Sequence, residues 1–227
     1  MKLALFDLDH TLLPIDSDYS WGEYTLDIGW CDPAHFKTRN DEFFAQYQAG
    51  ALDVHAYVRF ATEAIRLRGR AAAEAAREDF MRDVIRPAIR PEALALVQAH
   101  REAGEQLVMV TATNEFVTRP IADLFGIEAL VAVELARDET GWITGEIEGV
   151  PTMREGKVTR MGQWLTERGL DWSRVEATFY SDSPNDLPLL ERVRHPVATN
   201  PDPRLRRVAL ERGWRVLDLF GPPPADH

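Results

Sequence analysis

Short apolar runs alternate with longer amphipathic segments along most of this 227-residue chain, and that alternation narrows the fold more than any other feature. LALF (3–6), QLVMVT (106–111), ATFYS (177–181), HPVAT (195–199) and WRVLDL (214–219) have the length and composition of buried strands. Between them stand PEALALVQAHREAG (91–104), NEFVTRPIADLFG (114–126), GKVTRMGQWLTERG (156–169) and DPRLRRVALERG (202–213). These carry apolar residues at helical spacing, and several close on a glycine. Strands alternating with helices of this length predict an α/β fold, a parallel sheet with helices on both faces. Ligands of such folds gather at the carboxyl ends of the strands, so the residues just after each apolar run are the ones to read.

Two stretches interrupt the alternation. Residues 16–90 hold no convincing strand but do hold helix formers, PAHFKTRNDEFFAQYQAG, LDVHAYVRFATEAIRLRG and AAAEAAREDFMRDVI. A helical insertion after the first strand is expected there, with a core made of residues 1–15 and 91–227. ALVAVELARDETGWITGEIEG (129–149) reads as two strands around an acidic turn, Asp138 to Gly141, hence a β-hairpin appended to the sheet. The terminal GPPPADH is expected to fray.

A formal net charge of -11 gives no basic face for an extended nucleic-acid footprint. No apolar stretch reaches the roughly 18 residues of a membrane helix, and MKLALFDLDH is too short an apolar run for a signal peptide. Cys31 is the single cysteine, which excludes an intrachain disulfide and fits a reducing, cytoplasmic location. The histidines show no ligand spacing, so zinc is not indicated.

After LALF come Asp7, Asp9 and Thr11; after QLVMV come Thr111, Ala112 and Thr113; after ATFYS come Asp182, Asn185 and Asp186. Lys157 opens a helix behind Gly156. Clustered carboxylates repel one another and any phosphate dianion, so they need a cation, and oxygen-only ligands of this kind suit Mg²⁺. Thr111, the backbone N–H groups after it and Lys157 could hold phosphate oxygens. A carboxylate in line with phosphorus could then attack it.

Together these residues resemble the signatures of the haloacid dehalogenase (HAD) superfamily. FDLDHT resembles its first motif, Thr111 its second, Lys157 its third and SDSPNDLPLL its acidic fourth, all in family order. The helical insertion and the D-x-x-N-D form of Asp182 to Asp186 are similar to the phosphoserine-phosphatase-like branch, with its histidinol-phosphatase-like members. The resemblance implies a Rossmann-like HAD core with a helical C1-type cap over residues 16–90. It further implies that Asp7 is the nucleophile, forming an aspartyl-phosphate, and that Asp9 is the general acid and then base. Asp7, the Asp9 carbonyl and Asp182 would bind Mg²⁺, while Asp186 would hold a metal-bound water or orient Lys157. Thr11 would brace the loop, and Thr111, Ala112 and Asn185 would contact phosphate or substrate.

Dehalogenases of the superfamily lack an acid at the place of Asp9 because a halide leaves without a proton, so Asp9 favours phosphate-ester hydrolysis. Counting from the nucleophile puts Asp16 where phosphoserine phosphatases carry the glutamate that reads the substrate's amino group. Glu23 is a second acidic candidate, and Arg39 and Arg59 are candidates for a carboxylate clamp. The expected substrate is a small phosphorylated metabolite, amine-bearing like phosphoserine or histidinol phosphate, with no nucleic-acid or membrane partner. The rival is a phosphate-binding or regulatory module phosphorylated on Asp7 without efficient turnover. His10 is expected to serve as wall or loop, and Asn114 as a helix cap.

Overall fold

β1 (Lys2–Phe6) has Leu3, Ala4, Leu5 and Phe6 all fully buried, which only a central strand covered on both sides achieves. Its neighbours are β2 (Gln106–Asn114) and β6 (Glu176–Ser181), both parallel to it, with Leu5 opposite Val108 on one side and Phe179 on the other. β3 (Ala129–Val133) extends the sheet beyond β2, and β7 (His195–Thr199) and β8 (Arg215–Leu217) extend it beyond β6. The order β3-β2-β1-β6-β7-β8 reverses direction at β1, so the crevice at its carboxyl end is the expected ligand position. The computed structural model describes residues 1–48 and 51–221.

Between β1 and β2 lie α1 (Ser17–Asp27), α2 (Pro33–Gln48), α3 (Val54–Ala61), α4 (Glu63–Arg68) and α5 (Arg70–Phe80). The last runs through a π-helical turn, Met81–Ile85, into α6 (Arg86–Ala88). The segment LDVHAYVRFATEAIRLRG breaks in two at Thr62, whose hydroxyl donates to the Val58 carbonyl at 2.7 Å. α7 (Pro91–Glu102) leads into β2 and α8 (Glu115–Leu124) follows it. α9 (Glu155–Thr166) precedes β6, and α10 (Leu187–Arg192) and α11 (Pro203–Glu211) follow β6 and β7. The C-terminal residues 222–227, on which the fraying expectation falls, lie outside the described residues.

Alternation along each strand divides the core into two layers. Ala4, Phe6, Leu107 and Met109 face α7, α8 and the insertion, while Leu3, Leu5, Val108 and Val110 face Met161, Leu165, Leu189 and Leu205 of the other helices. The insertion is fastened to the first layer by Trp21 of α1, whose ring lies 5.2 Å from that of Phe80 and 5.9 Å from that of Phe116. Among the described residues no helix is long and apolar enough to cross a membrane.

The region 129–149 corrects the expectation of a hairpin added to the sheet. Its first apolar run is β3, a parallel edge strand paired with β2, and the hairpin is confined to β4 (Leu135–Arg137) and β5 (Ile143–Ile147). That hairpin is a separate two-stranded sheet and packs on α3 and α4. Gly145, at φ +91, lets the Arg66 side chain lie across the strand, and Arg59 pairs with Glu146 at 3.0 Å. The hairpin therefore buttresses the insertion instead of lengthening the sheet.

Phe80→Ala should cost about 3–5 kcal/mol by emptying the junction between Trp21, Tyr24 and the sheet layer. Thermal unfolding measures this, and a loss below about 1 kcal/mol would show that the aromatic junction does not secure the insertion.

Candidate active site

The chain leaves β1 at Asp7, whose N–H still donates to the Tyr180 carbonyl of β6 at 2.9 Å. It then turns tightly, because the Leu8 carbonyl accepts from the N–H groups of Thr11, Leu12 and Leu13, and His10 takes a left-handed φ of 56°. The His10 side chain is left exposed, and its carbonyl is held by Asn200 Nδ2 at 2.9 Å. The turn drives Thr11 inward, fully buried. Its hydroxyl lies 3.1 Å from Asp7 Oδ2 and 3.2 Å from Asp182 Oδ1, donating to these carboxylates, and accepts from the Asp182 N–H at 3.0 Å. The ends of β1 and β6 are thus joined through one side chain.

Lys157, in the first turn of α9 and only 2% exposed, donates to Asp7 Oδ1 at 2.8 Å and Asp186 Oδ2 at 2.7 Å. Burial opposes its charge, but Asp186 and Asp7 outweigh that and hold the ammonium above its usual range. Gly156 makes this placement possible: a Cβ there would stand 1.9 Å from the Pro151 carbonyl oxygen. Asp186 also accepts from Ser181 Oγ at 2.7 Å. Burial raises the Asp186 carboxyl, partly countered by Lys157. Burial, then Asp7 and Asp186, raise that of Asp182.

Asp9 has different company. Its Oδ1 accepts from the Ser17 N–H at 2.6 Å and its Oδ2 from the Thr113 hydroxyl at 2.8 Å. Burial, then the negative field of Asp16, push its carboxyl well above the ordinary range against the Ser17 bonds. Thr113 is the residue that sequence reasoning undervalued. β2 continues to Asn114, so Thr111 and Thr113 share one face of an extended strand, and that period of two was the available signal. Thr111 is buried, its Oγ1 accepting from the Thr113 N–H at 3.1 Å, and Ala112 is exposed. Asn114 caps α8 through Val117 N–H at 3.3 Å, as expected of it.

The remaining candidates are spread more widely. Asn185 Oδ1 accepts from Arg154 Nε at 3.2 Å. Arg154 stands at φ 53°, a left-handed conformation uncommon for a residue of this kind. From α2, Tyr47 approaches Ser183 and Asn185. Asp16 caps α1, accepting from Tyr19 N–H at 2.9 Å, and Glu23 lies exposed on the same helix. Arg39 pairs with Glu42 and Arg59 with Glu146. An acidic residue not anticipated, Asp18, accepts from Tyr57 OH and from Asn114 Nδ2 at 3.3 Å.

The fit to a metal rests on Asp7 and Asp182, which present oxygens to one point at the Thr11 hydroxyl. No cluster of three histidine, cysteine or carboxylate side chains suited to a metal occurs among the described residues. Two carboxylates with a backbone carbonyl and water are nonetheless the donor set that Mg²⁺ accepts.

Residues 4–191 match the sequence profile of the haloacid dehalogenase-like hydrolases. The chain belongs to that family and is an enzyme of its phosphatase type. It is 41% identical over 219 residues to a protein of Neisseria meningitidis serogroup C named histidinol-phosphatase, covering 96% of this chain and 99% of that one. To the phosphoserine phosphatase SerB1 of Mycobacterium tuberculosis it is 32% identical, over 95% of this chain and 70% of the other. A Bordetella pertussis protein of unknown function superposes with a TM-score of 0.91 at 47% identity, covering 96% of this chain and 99% of that one. A substrate-bound phosphoserine phosphatase shares the fold, with a TM-score of 0.63 at 16% identity over 96% of this chain and 92% of the other.

Thr11→Val keeps the shape of the loop and removes the hydroxyl shared by Asp7 and Asp182. Activity should fall about 10–100-fold with a small change in Tm. Retention of full activity would mean that the two carboxylates hold their places without it.

Proposed function

We propose that this chain is a Mg²⁺-dependent phosphomonoesterase that hydrolyses a small phosphorylated metabolite through an aspartyl-phosphate on Asp7. The observation that carries the reading is the contrast between the paired aspartates. Asp7 lies against Lys157 and Thr11, while Asp9 is desolvated and held by Ser17 and Thr113. Two carboxylates whose surroundings differ in this way are suited to separate roles, attack and proton transfer.

An Asp7 oxygen attacks phosphorus and the bond from phosphorus to the ester oxygen breaks. Asp9 gives its proton to the departing alkoxide. The resulting Asp9 carboxylate takes a proton from water, whose oxygen attacks the phosphoryl group on Asp7 and releases inorganic phosphate. Lys157 and the N–H groups leading into α8 offset charge on the phosphoryl oxygens, and Thr111 and Asn185 line their site. Mg²⁺ would be held by the carboxylates of Asp7 and Asp182 and the carbonyl of Asp9, with Asp186 acting through water. When bound it neutralises the carboxylates and polarises the phosphoryl group.

The helices from α1 to α6 would form the cap that excludes water and selects the leaving group. The names of the two curated relatives, histidinol-phosphatase and phosphoserine phosphatase, support an amine-bearing ester as substrate. Asp16 adds negative potential beside Asp9, which favours such a cationic leaving group.

Purified protein should hydrolyse p-nitrophenyl phosphate with Mg²⁺ and stop on addition of EDTA. Asp7→Asn should abolish turnover, and Asp9→Asn should lower it about 10²–10⁴-fold. Equal rates for wild type and Asp7→Asn would sink the mechanism.

A further inference from the structure

Local chemistry speaks against an arginine at position 154 on three counts. The Gly156 N–H donates to the Met153 carbonyl at 2.9 Å and closes a tight turn, in which Arg154 is the first central residue at φ 53° and ψ -121°. That conformation belongs to a type II′ turn and is adopted freely only by glycine. Arg154 is also the residue from which α9 starts, where a cation opposes the helix dipole. Its side chain makes no capping hydrogen bond to that helix. Backbone strain of this kind persists only where the surroundings over-determine it, so the reason for an arginine lies in where its side chain goes.

It goes to Asn185. Arg154 Nε donates to Asn185 Oδ1 at 3.2 Å, joining the turn before α9 to the loop after β6. The same two segments are joined a second time by Lys157 Nζ and Asp186 Oδ2 at 2.7 Å. Both links share one frame, because the Lys157 N–H donates to the Arg154 carbonyl at 3.0 Å and Asn185 directly precedes Asp186. A guanidinium offers donors only, so the carboxamide atom that faces it must be the oxygen. The Asn185 NH₂ group is thereby turned away from Arg154, while Tyr47 of α2 approaches the same residue from the insertion. Without the guanidinium, the carboxamide is free to turn over and present an acceptor where a phosphate oxygen needs a donor.

We infer that Arg154 is a positioning residue of the phosphate site, fixing the Asn185 carboxamide with its NH₂ group towards the phosphoryl oxygens beside the Lys157 ammonium. The assignment rests on the phosphomonoesterase reading above and adds a residue that no sequence motif singled out. Arg154 touches no reacting atom and acts through Asn185. A glycine at 154 would relax the turn and leave the amide unheld, so the strain and the bond to Asn185 are lost together.

The test compares wild type, Arg154→Gly, Arg154→Lys, Asn185→Ala and the double variant Arg154→Gly with Asn185→Ala, on p-nitrophenyl phosphate with Mg²⁺ and with inorganic phosphate as inhibitor. Arg154→Gly should lower kcat/KM about 10–100-fold and weaken inhibition by phosphate. Arg154→Lys keeps a donor at similar reach and should recover part of that loss. In the Asn185→Ala background, Arg154→Gly should change kcat/KM less than about 3-fold, since no carboxamide remains to be held. Full additivity of the two losses would overturn the assignment while leaving the phosphomonoesterase reading intact. If wild type does not hydrolyse the ester, that reading itself falls and this one with it.

Stability supplies an independent readout. Glycine relieves the left-handed backbone at 154, so Arg154→Gly should melt at or above the Tm of wild type even as its activity falls. A lower Tm with activity unchanged would mark Arg154 as a structural tie between α9 and the loop after β6, and would overturn the inference.

Discussion

One lysine ammonium, shut away from solvent between two carboxylates, holds the site together. Lys157 bonds Asp7 at the end of β1 and Asp186 beyond β6, so three segments far apart in the chain meet at one nitrogen. Removing water from these groups is expensive, and only close geometry with the remaining lone pairs satisfied compensates for it. Thr11 and Ser181 supply that completion, at Asp7 and Asp186 respectively. The backbone has conformed to the same demand. The first turn of α9 holds a glycine, Gly156, where the Pro151 carbonyl leaves no room for a side chain, and the loop after β1 accepts a left-handed histidine to turn Thr11 inward.

That arrangement leaves the charges unequal. Asp7, Asp182 and Asp186 face a single lysine, and two of the three carboxylates are held above their normal protonation range mainly by burial. The imbalance is the physical reason to expect a divalent cation here, and the phosphate dianion of a substrate then meets a neutralised floor instead of a repelling one. Without a cation, these carboxylates would oppose the approach of a phosphate dianion.

Much of this was legible in the sequence, and the limits arise from the short range of local patterns. The strands of the sheet and the residues at their ends could be read because a fully buried parallel strand is a continuous apolar run ending in an abrupt polar change. Pairing was less accessible: Val133 and Leu135 are separated only by Glu134, and periodicity does not say which strand joins β2 and which folds back on its own turn. Thr113 was obscured by its place beside the helix cap Asn114, although its spacing from Thr111 put both on one strand face. Asp18 lay beyond reach. Its partners stand 39 and 96 residues away, and nothing in the helical pattern of α1 distinguishes it from Asp16 or Glu23.

The two halves of the molecule meet at Asp9. Its carboxylate takes one hydrogen bond from the start of α1, in the insertion, and one from β2, in the sheet. The Asp9 carboxyl therefore keeps both bonds only when the insertion sits against the sheet. The hairpin of β4 and β5 favours that position, since it packs on α3 and α4, where it meets Arg59 and Arg66, and its Trp142 ring lies 6.1 Å from that of Phe116 in the aromatic junction at Trp21. A change in the insertion can therefore reorient Asp9 without touching the floor formed by Asp7, Lys157 and Asp182.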